Sequence, residues 1–254
     1  MAEVEEHVDV GPAGRGGRAV PSVLPTAVRG WLGWAAVLAA LFVVVGAVLF
    51  AGDSEPGAVD VQLSAVVDGA GSSWRQAALA TDFLGEPVGA AALVVAVVAG
   101  CLLLLRRPRA AVFAVAAAGG TVGATTLLKS LVGRTIHGDG NLSYPSGHTA
   151  FLTALALAVA LLATGLLGLG RAAGLSLVLA AALVAGAAMG WAQVALGAHY
   201  PTDVLGGWCT ALAVTPATAW LVDRTADRQD GRRADRTFDA DADRTVESGR
   251  QGRP

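Results

Sequence analysis

Lysine is almost missing from this chain. Of the 18 basic residues in 254, one is lysine, Lys129, and the rest are arginine. Drift is one explanation. The other is a need for a compact ammonium on a flexible stem, a good point charge for a phosphate oxygen. Cysteine is also scarce: Cys101 and Cys209 both lie in apolar stretches. Without flanking ligand spacing they exclude a disulfide framework and provide no metal site. Charged residues make up only 15%, with a formal net charge of −2, which gives no basic surface for a nucleic-acid partner. What is abundant is apolar. Hydrophobic residues reach 54% and the mean hydropathy is +0.57, values outside the range of ordinary soluble domains.

The scarcity of charge has a pattern. No charged residue occurs between Arg29 and Asp53, Glu86 and Arg106, Arg109 and Lys129, His148 and Arg171, Arg171 and His199, or Asp203 and Asp223. Each interval is near or above the roughly 20 residues a helix needs to cross a bilayer. A soluble core helix is seldom apolar all round for that length. The expected fold is therefore all-α, a six-span transmembrane helical bundle covering 29–222. Gly119/Gly123 and Gly186/Gly190 are small-residue pairs that allow close helix packing, although Gly-rich helices also produce them by chance. Residues 1–28, acidic and then rich in Gly, Pro and Arg, and residues 223–254, rich in Arg and Asp, lack apolar periodicity. They read as disordered tails. The first is too long and too acidic at its start for the n-region of a signal peptide.

Placing the N-terminus in the cytoplasm puts 15 of the 18 basic residues inside and leaves only Arg75, Lys129 and Arg134 outside. Inner loops rich in basic residues are the rule for membrane proteins. Both termini are then cytoplasmic and the protein sits in the cell membrane. Trp31 and Trp220 fall at the inner interface. The outer loop 53–86 is the longest, with Asp53, Glu55, Asp60, Asp68 and a short helix expected near Ser73–Phe83. It reads either as a lid or interfacial helix or as a plain connection. The other two outer loops carry His together with charged residues, which puts any chemistry on the outer face.

One of those loops runs Ser-Tyr-Pro-Ser-Gly-His-Thr-Ala-Phe over Ser143–Phe151. A polar turn feeding a long apolar helix exposes unpaired backbone N–H groups at the positive end of the helix dipole, an anion site. Ser146 adds a hydroxyl, Gly147 permits close approach, and His148 is a proton carrier. A Ser-Gly helix cap with an incidental histidine explains the same residues. The other loop contains His199-Tyr-Pro-Thr-Asp203. A carboxylate four residues on can bond one imidazole nitrogen, fix the tautomer and free the other as a nucleophile. Asp203 as a simple cap on the sixth span is the competing reading.

Together, Lys129…Arg134, Pro145-Ser146-Gly147-His148 and His199…Asp203 resemble the three signatures of the type 2 phosphatidic acid phosphatases. This family includes bacterial membrane lipid phosphatases and soluble vanadium haloperoxidases. The resemblance spans roughly residues 29–222. It implies hydrolysis of a lipid phosphomonoester or diphosphate, phosphatidic acid- or undecaprenyl diphosphate-like, through a phosphohistidine. In that scheme His199 is the nucleophile, Asp203 orients it and His148 is the acid, while Lys129, Arg134, Ser146 and Gly147 hold the phosphate. It implies no metal and no other cofactor, and its partners are the lipid phosphate and membrane lipids. Two departures stand out. The family's Arg-Pro after Lys is Ile136-His137 here, with Arg134 two positions earlier. The Ser-Arg of its third signature is Ala192-Gln193. Gln193 donates hydrogen bonds without charge. His137 and Asp139 receive no role beyond support. A phosphotransferase with the same intermediate, or a non-catalytic lipid-phosphate binder, are the alternatives. A transporter fits less well, because the spans carry almost no ionisable residues.

Overall fold

The computed structural model describes residues 22–68, 74–138 and 140–251. Among these the chain is helical, without strands, apart from one isolated antiparallel bridge between Thr135 and Leu142. The helices are α1 (Thr26–Leu49), α2 (Ala58–Asp68), α3 (Arg75–Asp82), α4 (Pro87–Ala99), α5 (Pro108–Val132), α6 (Gly147–Leu166), α7 (Arg171–Ala195) and α8 (Pro201–Gln251). A π-helical turn, Gly100–Leu104, extends α4. Six of them, α1 and α4–α8, are long and apolar enough to cross a membrane, as the charge-free intervals predict. The start signals are local. Proline opens α4, α5 and α8, where its missing N–H costs nothing. Gly133, at φ 67°, closes α5 in a left-handed cap, its N–H on the Lys129 carbonyl.

α6 is the central helix. It packs on α5, α7 and α8, and 61% of its span is buried, the largest share of the six. Its side chains Ala154, Leu157, Ala158 and Leu161 join Phe113, Val178 and Ala219 in the main core. Large apolar side chains on α1, α4 and α7 remain exposed, among them Trp34, Leu103 and Val184. Contiguous apolar surface of this kind calls for a lipid environment.

One of the two glycine pairs is a packing seam. A Cβ on Gly186 would strike the Trp208 ring at 2.2 Å, and one on Gly190 would strike Val204 at 2.3 Å, so α7 and α8 meet through these glycines. Gly119 and Gly123 have open space instead.

The folded part is wider than 29–222. Val23, Leu24 and Val28 belong to the main core. Asp223 is buried at the opposite end of the bundle from the outer loops, where it accepts the backbone N–H groups of Val23 (2.8 Å) and Leu24 (2.9 Å) and pairs with Arg109 at 2.7 Å. A carboxylate expected to open a disordered tail thus holds the chain entering α1. Beyond it α8 keeps helical backbone to Gln251, where a disordered tail is expected from composition. The first 21 residues of the N-terminal tail lie outside the described residues.

The loop before α4 is not a plain connection. It holds α2 and, within the stretch expected to be helical, α3. Trp74, just before α3, packs edge-on against Trp191 of α7 at 6.3 Å, and Ala78 is fully buried. Both short helices lie against the outer end of α7, so they roof the end of the bundle that carries the signature residues.

Candidate active site

Four segments converge at that end: the end of α5, the loop to α6, the turn between α7 and α8, and the α2–α3 roof. Backbone bonds fasten the loops together. The Ser146 N–H donates to the Asp203 carbonyl at 2.9 Å, and the Ser143 N–H to the Arg134 carbonyl at 2.8 Å. Gly207 lets α8 approach the Ser146 backbone, since a Cβ there would fall 2.2 Å from the Ser146 oxygen.

At the start of α6 the structure shows the cap. The Ser146 hydroxyl accepts the Thr149 N–H at 3.4 Å and donates to the Thr149 hydroxyl at 3.1 Å. It is fully buried and so is a cap before it is a ligand. The amides of Gly147 and His148 sit in the first turn, where no intrahelical acceptor exists, and they remain available to an anion. Lys129 reaches the same place from α5. Its Nζ donates to the Leu142 carbonyl at 2.7 Å, which leaves two ammonium protons uncommitted.

Asp203 is a cap and also stands beside His199. It occupies the third position of α8, and Oδ2 accepts the Tyr200 N–H at 3.0 Å, a capping-box contact. The same oxygen lies 3.6 Å from His199 Nδ1, an ion-pair approach rather than a hydrogen bond. His199 is 8% exposed. Burial lowers its pKa below the ordinary 6.5; the Asp203 carboxylate opposes that shift, and Lys129 and His148 add to it. All three neighbours are thus near enough to act on this imidazole, whose Nδ1 is buried without a hydrogen-bond partner.

Arg134 is the main difference from the sequence reading, which makes it a phosphate ligand. Its guanidinium is fully buried between two fully buried carboxylates, Asp203 at 2.7 Å and Asp60 at 2.8 Å. Nη1 also donates to the Thr202 hydroxyl at 2.6 Å. The rings of Phe50 and Tyr200 lie 4.2 and 4.6 Å from its central carbon. A fork with its terminal nitrogens engaged and aromatic rings packed on it does not reach a substrate. Asp60 itself accepts from Thr202 N (2.9 Å), Thr202 Oγ1 (3.0 Å) and Gly57 N (3.2 Å). Nothing in the local sequence marks Asp60 from the other outer acids; only the fold pairs it with Arg134, 74 residues on.

The two departures are now placed. Ile136 is buried and apolar. Gln193 is buried on α7 and donates to Asp82 Oδ1 at the end of α3. Asp82 in turn stands 3.7 Å from His148 Nε2, and Glu86 stands 3.6 Å from the same nitrogen. Asp82, Glu86 and His148 have ligand-type atoms all within 4.8 Å. Three ligand-type groups thus stand together where the sequence shows no complete ligand spacing. The i, i+4 carboxylates just before Pro87 were a visible spacing, without a visible third member. Gly85, between the two acids, lies under the His148 ring. His137 bridges two outer loops through Nε2 to the Gly197 carbonyl, 2.7 Å apart. Asp139 lies outside the described residues.

From Lys129, Gly147 and His148 a groove of ≈ 580 Å³ runs down between α4 and α5, lined by Ala90, Val94, Val115, Ala118 and Val122. The family model for the PAP2 superfamily matches residues 31–227. Among solved structures, the fold is similar to that of a transmembrane PAP2-type phosphatidylglycerolphosphate phosphatase from Bacillus subtilis. The TM-score is 0.59 at 21% identity, over 77% of this chain and 97% of that one. No curated protein matches the chain in sequence.

Proposed function

Because the chain belongs to the PAP2 superfamily, we propose that it is a multi-pass membrane phosphatase acting on a lipid phosphomonoester or diphosphate. The observation that carries this reading is the groove. Its polar end holds Lys129, Gly147 and His148, and the rest of its lining is apolar and lies between spanning helices. An alkyl or isoprenoid chain fits the walls, with its phosphate at the cationic end. A water-soluble phosphate ester has no use for such walls.

In this reading His199 Nε2 attacks phosphorus and forms the N–P bond as the P–O bond to the leaving group breaks. His148 gives its proton to the departing oxygen. Water then attacks phosphorus and gives a proton to the now neutral His148; the N–P bond breaks, and phosphate leaves with both histidines regenerated. Lys129 and the Gly147 and His148 amides hold the equatorial oxygens, where charge gathers in the transition state. Ser146 shapes that cradle as the cap of α6. Arg134 acts one step back. It holds Asp203 beside His199 Nδ1, and a carboxylate in that place orients the imidazole once the two close to hydrogen-bond distance. The distribution of arginine supports an orientation in which this end of the bundle faces away from the cytoplasm.

A lipid-phosphate binder without turnover is the second reading, favoured by Gln193, which spends its amide on Asp82 instead of charging the phosphate site. Phosphate release by the purified protein on phosphatidic acid, phosphatidylglycerolphosphate and undecaprenyl diphosphate separates the two. Turnover by the parent and none by His199→Ala supports the enzyme. Parent-like turnover by His199→Ala ends the phosphohistidine mechanism, and a parent that binds without release favours the binder.

A further inference from the structure

The two carboxylates beside His148 take no step in the mechanism above. Asp82 ends α3, and Glu86 follows four residues later, in the turn before α4. Their carboxylates pair with no lysine or arginine among the described residues; the single basic group they face is His148. Two negative charges beside a site meant for phosphate are a liability unless a cation joins them.

The geometry fits such a cation. Separations of 3.6 and 3.7 Å from His148 Nε2 are too long for hydrogen bonds. They are close to the spacing of about 3.4 Å between two atoms that each bind a tetrahedral ion at about 2.1 Å. His148 Nε2 is shut off from solvent and has no hydrogen-bond partner, so an unpaired donor atom points at both acids. Gln193 bonds Asp82 Oδ1 and so orients that ligand from behind, as outer-shell partners of metal sites do. Gly85 has no Cβ and seats the ring between the carboxylates.

We propose that Asp82, Glu86 and His148 form a binding site for a divalent cation of the Zn²⁺ type. One imidazole and two carboxylates with a coordination position left over suit a borderline ion better than Mg²⁺ or Ca²⁺, which favour all-oxygen shells. The cation takes the Nε2 lone pair, so His148 cannot carry a proton on that nitrogen while it is bound. On the phosphatase reading above, with Nε2 as the nitrogen that protonates the leaving group, this makes the ion a reversible inhibitor.

The test is calorimetric titration of ZnCl₂ into tag-free, chelator-treated full-length protein in detergent, with phosphate release followed in parallel. One equivalent is expected to bind to the parent. Asp82→Asn and Glu86→Gln should each weaken binding by about tenfold or more, while His137→Ala should not. Bound Zn²⁺ should suppress phosphate release, a chelator should restore it, and Glu86→Gln should need about tenfold more Zn²⁺ for the same suppression. Glu86 is half exposed, so that variant carries the test if Asp82→Asn fails to fold. No heat of binding to the parent, or parent-like binding by Glu86→Gln, overturns the site. Binding without loss of phosphate release overturns the inhibitory role. A parent that releases no phosphate refutes the phosphatase reading, while the calorimetry still decides the site.

Discussion

Gly85→Ala is a one-methyl probe of His148. A Cβ at residue 85 would fall 2.3 Å from His148 Cδ2, 2.7 Å from Cγ and 3.0 Å from Cβ. Carbons in contact sit about 3.5–4.0 Å apart, so the ring must retreat by about 1 Å. Gly85 is not among the residues at positive φ, so alanine meets no backbone obstacle and the effect is steric. The ring is 29% exposed and can move toward solvent. The folding cost therefore lies at the low end of the ~1–3 kcal/mol typical of overpacking. A misplacement of about 1 Å near the chemistry costs of order 10²-fold, close to 2.7 kcal/mol of barrier. Initial rates of phosphate release should fall by about that factor on a lipid phosphate. They should fall far less on an aryl phosphate, whose leaving group needs little protonation. Thermal unfolding in detergent checks the fold. Parent-like rates on the lipid phosphate, or equal losses on both substrates, would show that His148 is not the acid or is not held by Gly85.

Arg134→Ala strands Asp60 and Asp203 as buried charges, which should cost about 3–5 kcal/mol of stability and reduce turnover far more than Arg75→Ala. As a positioning residue, Arg134 should affect kcat, and the inhibition constant for inorganic phosphate should stay near the parent's in Arg134→Lys. A large rise in that constant would return Arg134 to the phosphate. His199 attacks only when neutral and its pKa is lowered from 6.5, so the acid limb of kcat/KM that it governs should fall below pH 6.5. Asp203→Asn removes the opposing carboxylate and should move that limb to lower pH, whereas Lys129→Ala should move it up; shifts of the opposite sign refute the assignment. The same lowered pKa means the unfolded chain binds the proton more readily, so this group's effect on stability is a loss as pH falls through the ordinary histidine range. Gly186→Val and Gly190→Val should weaken α7–α8 packing by about 1–3 kcal/mol in unfolding experiments, whereas Gly119→Val should be tolerated. An impermeant thiol reagent applied from outside should reach a cysteine placed at Asn141 and not one placed at Arg107; the reverse result inverts the topology.

Six spans were legible in the sequence because a bilayer imposes a one-dimensional constraint. A helix of about 20 residues must be free of charge, and no tertiary contact is needed to see that. Pro145-Ser146-Gly147-His148 and His199…Asp203 were legible for a related reason. Each is a local turn whose chemistry lies within a few residues, and the structure shows both caps, Ser146 on the Thr149 N–H and Asp203 on the Tyr200 N–H. What the sequence left undecided is every partner far away along the chain. Arg134 looked like a surviving phosphate ligand because it stands near Lys129, but the fold buries it between Asp60 and Asp203, where a desolvated charge must find its counter-charge. Gln193 looked like a weakened ligand until α3 brought Asp82 to it. Asp223 looked like the start of a tail until the N-terminal segment returned 200 positions to cap against it. Hydropathy is a property of each segment and survives in the sequence. Which buried charge meets which is set by how the helices pack, and only the tertiary structure decided it.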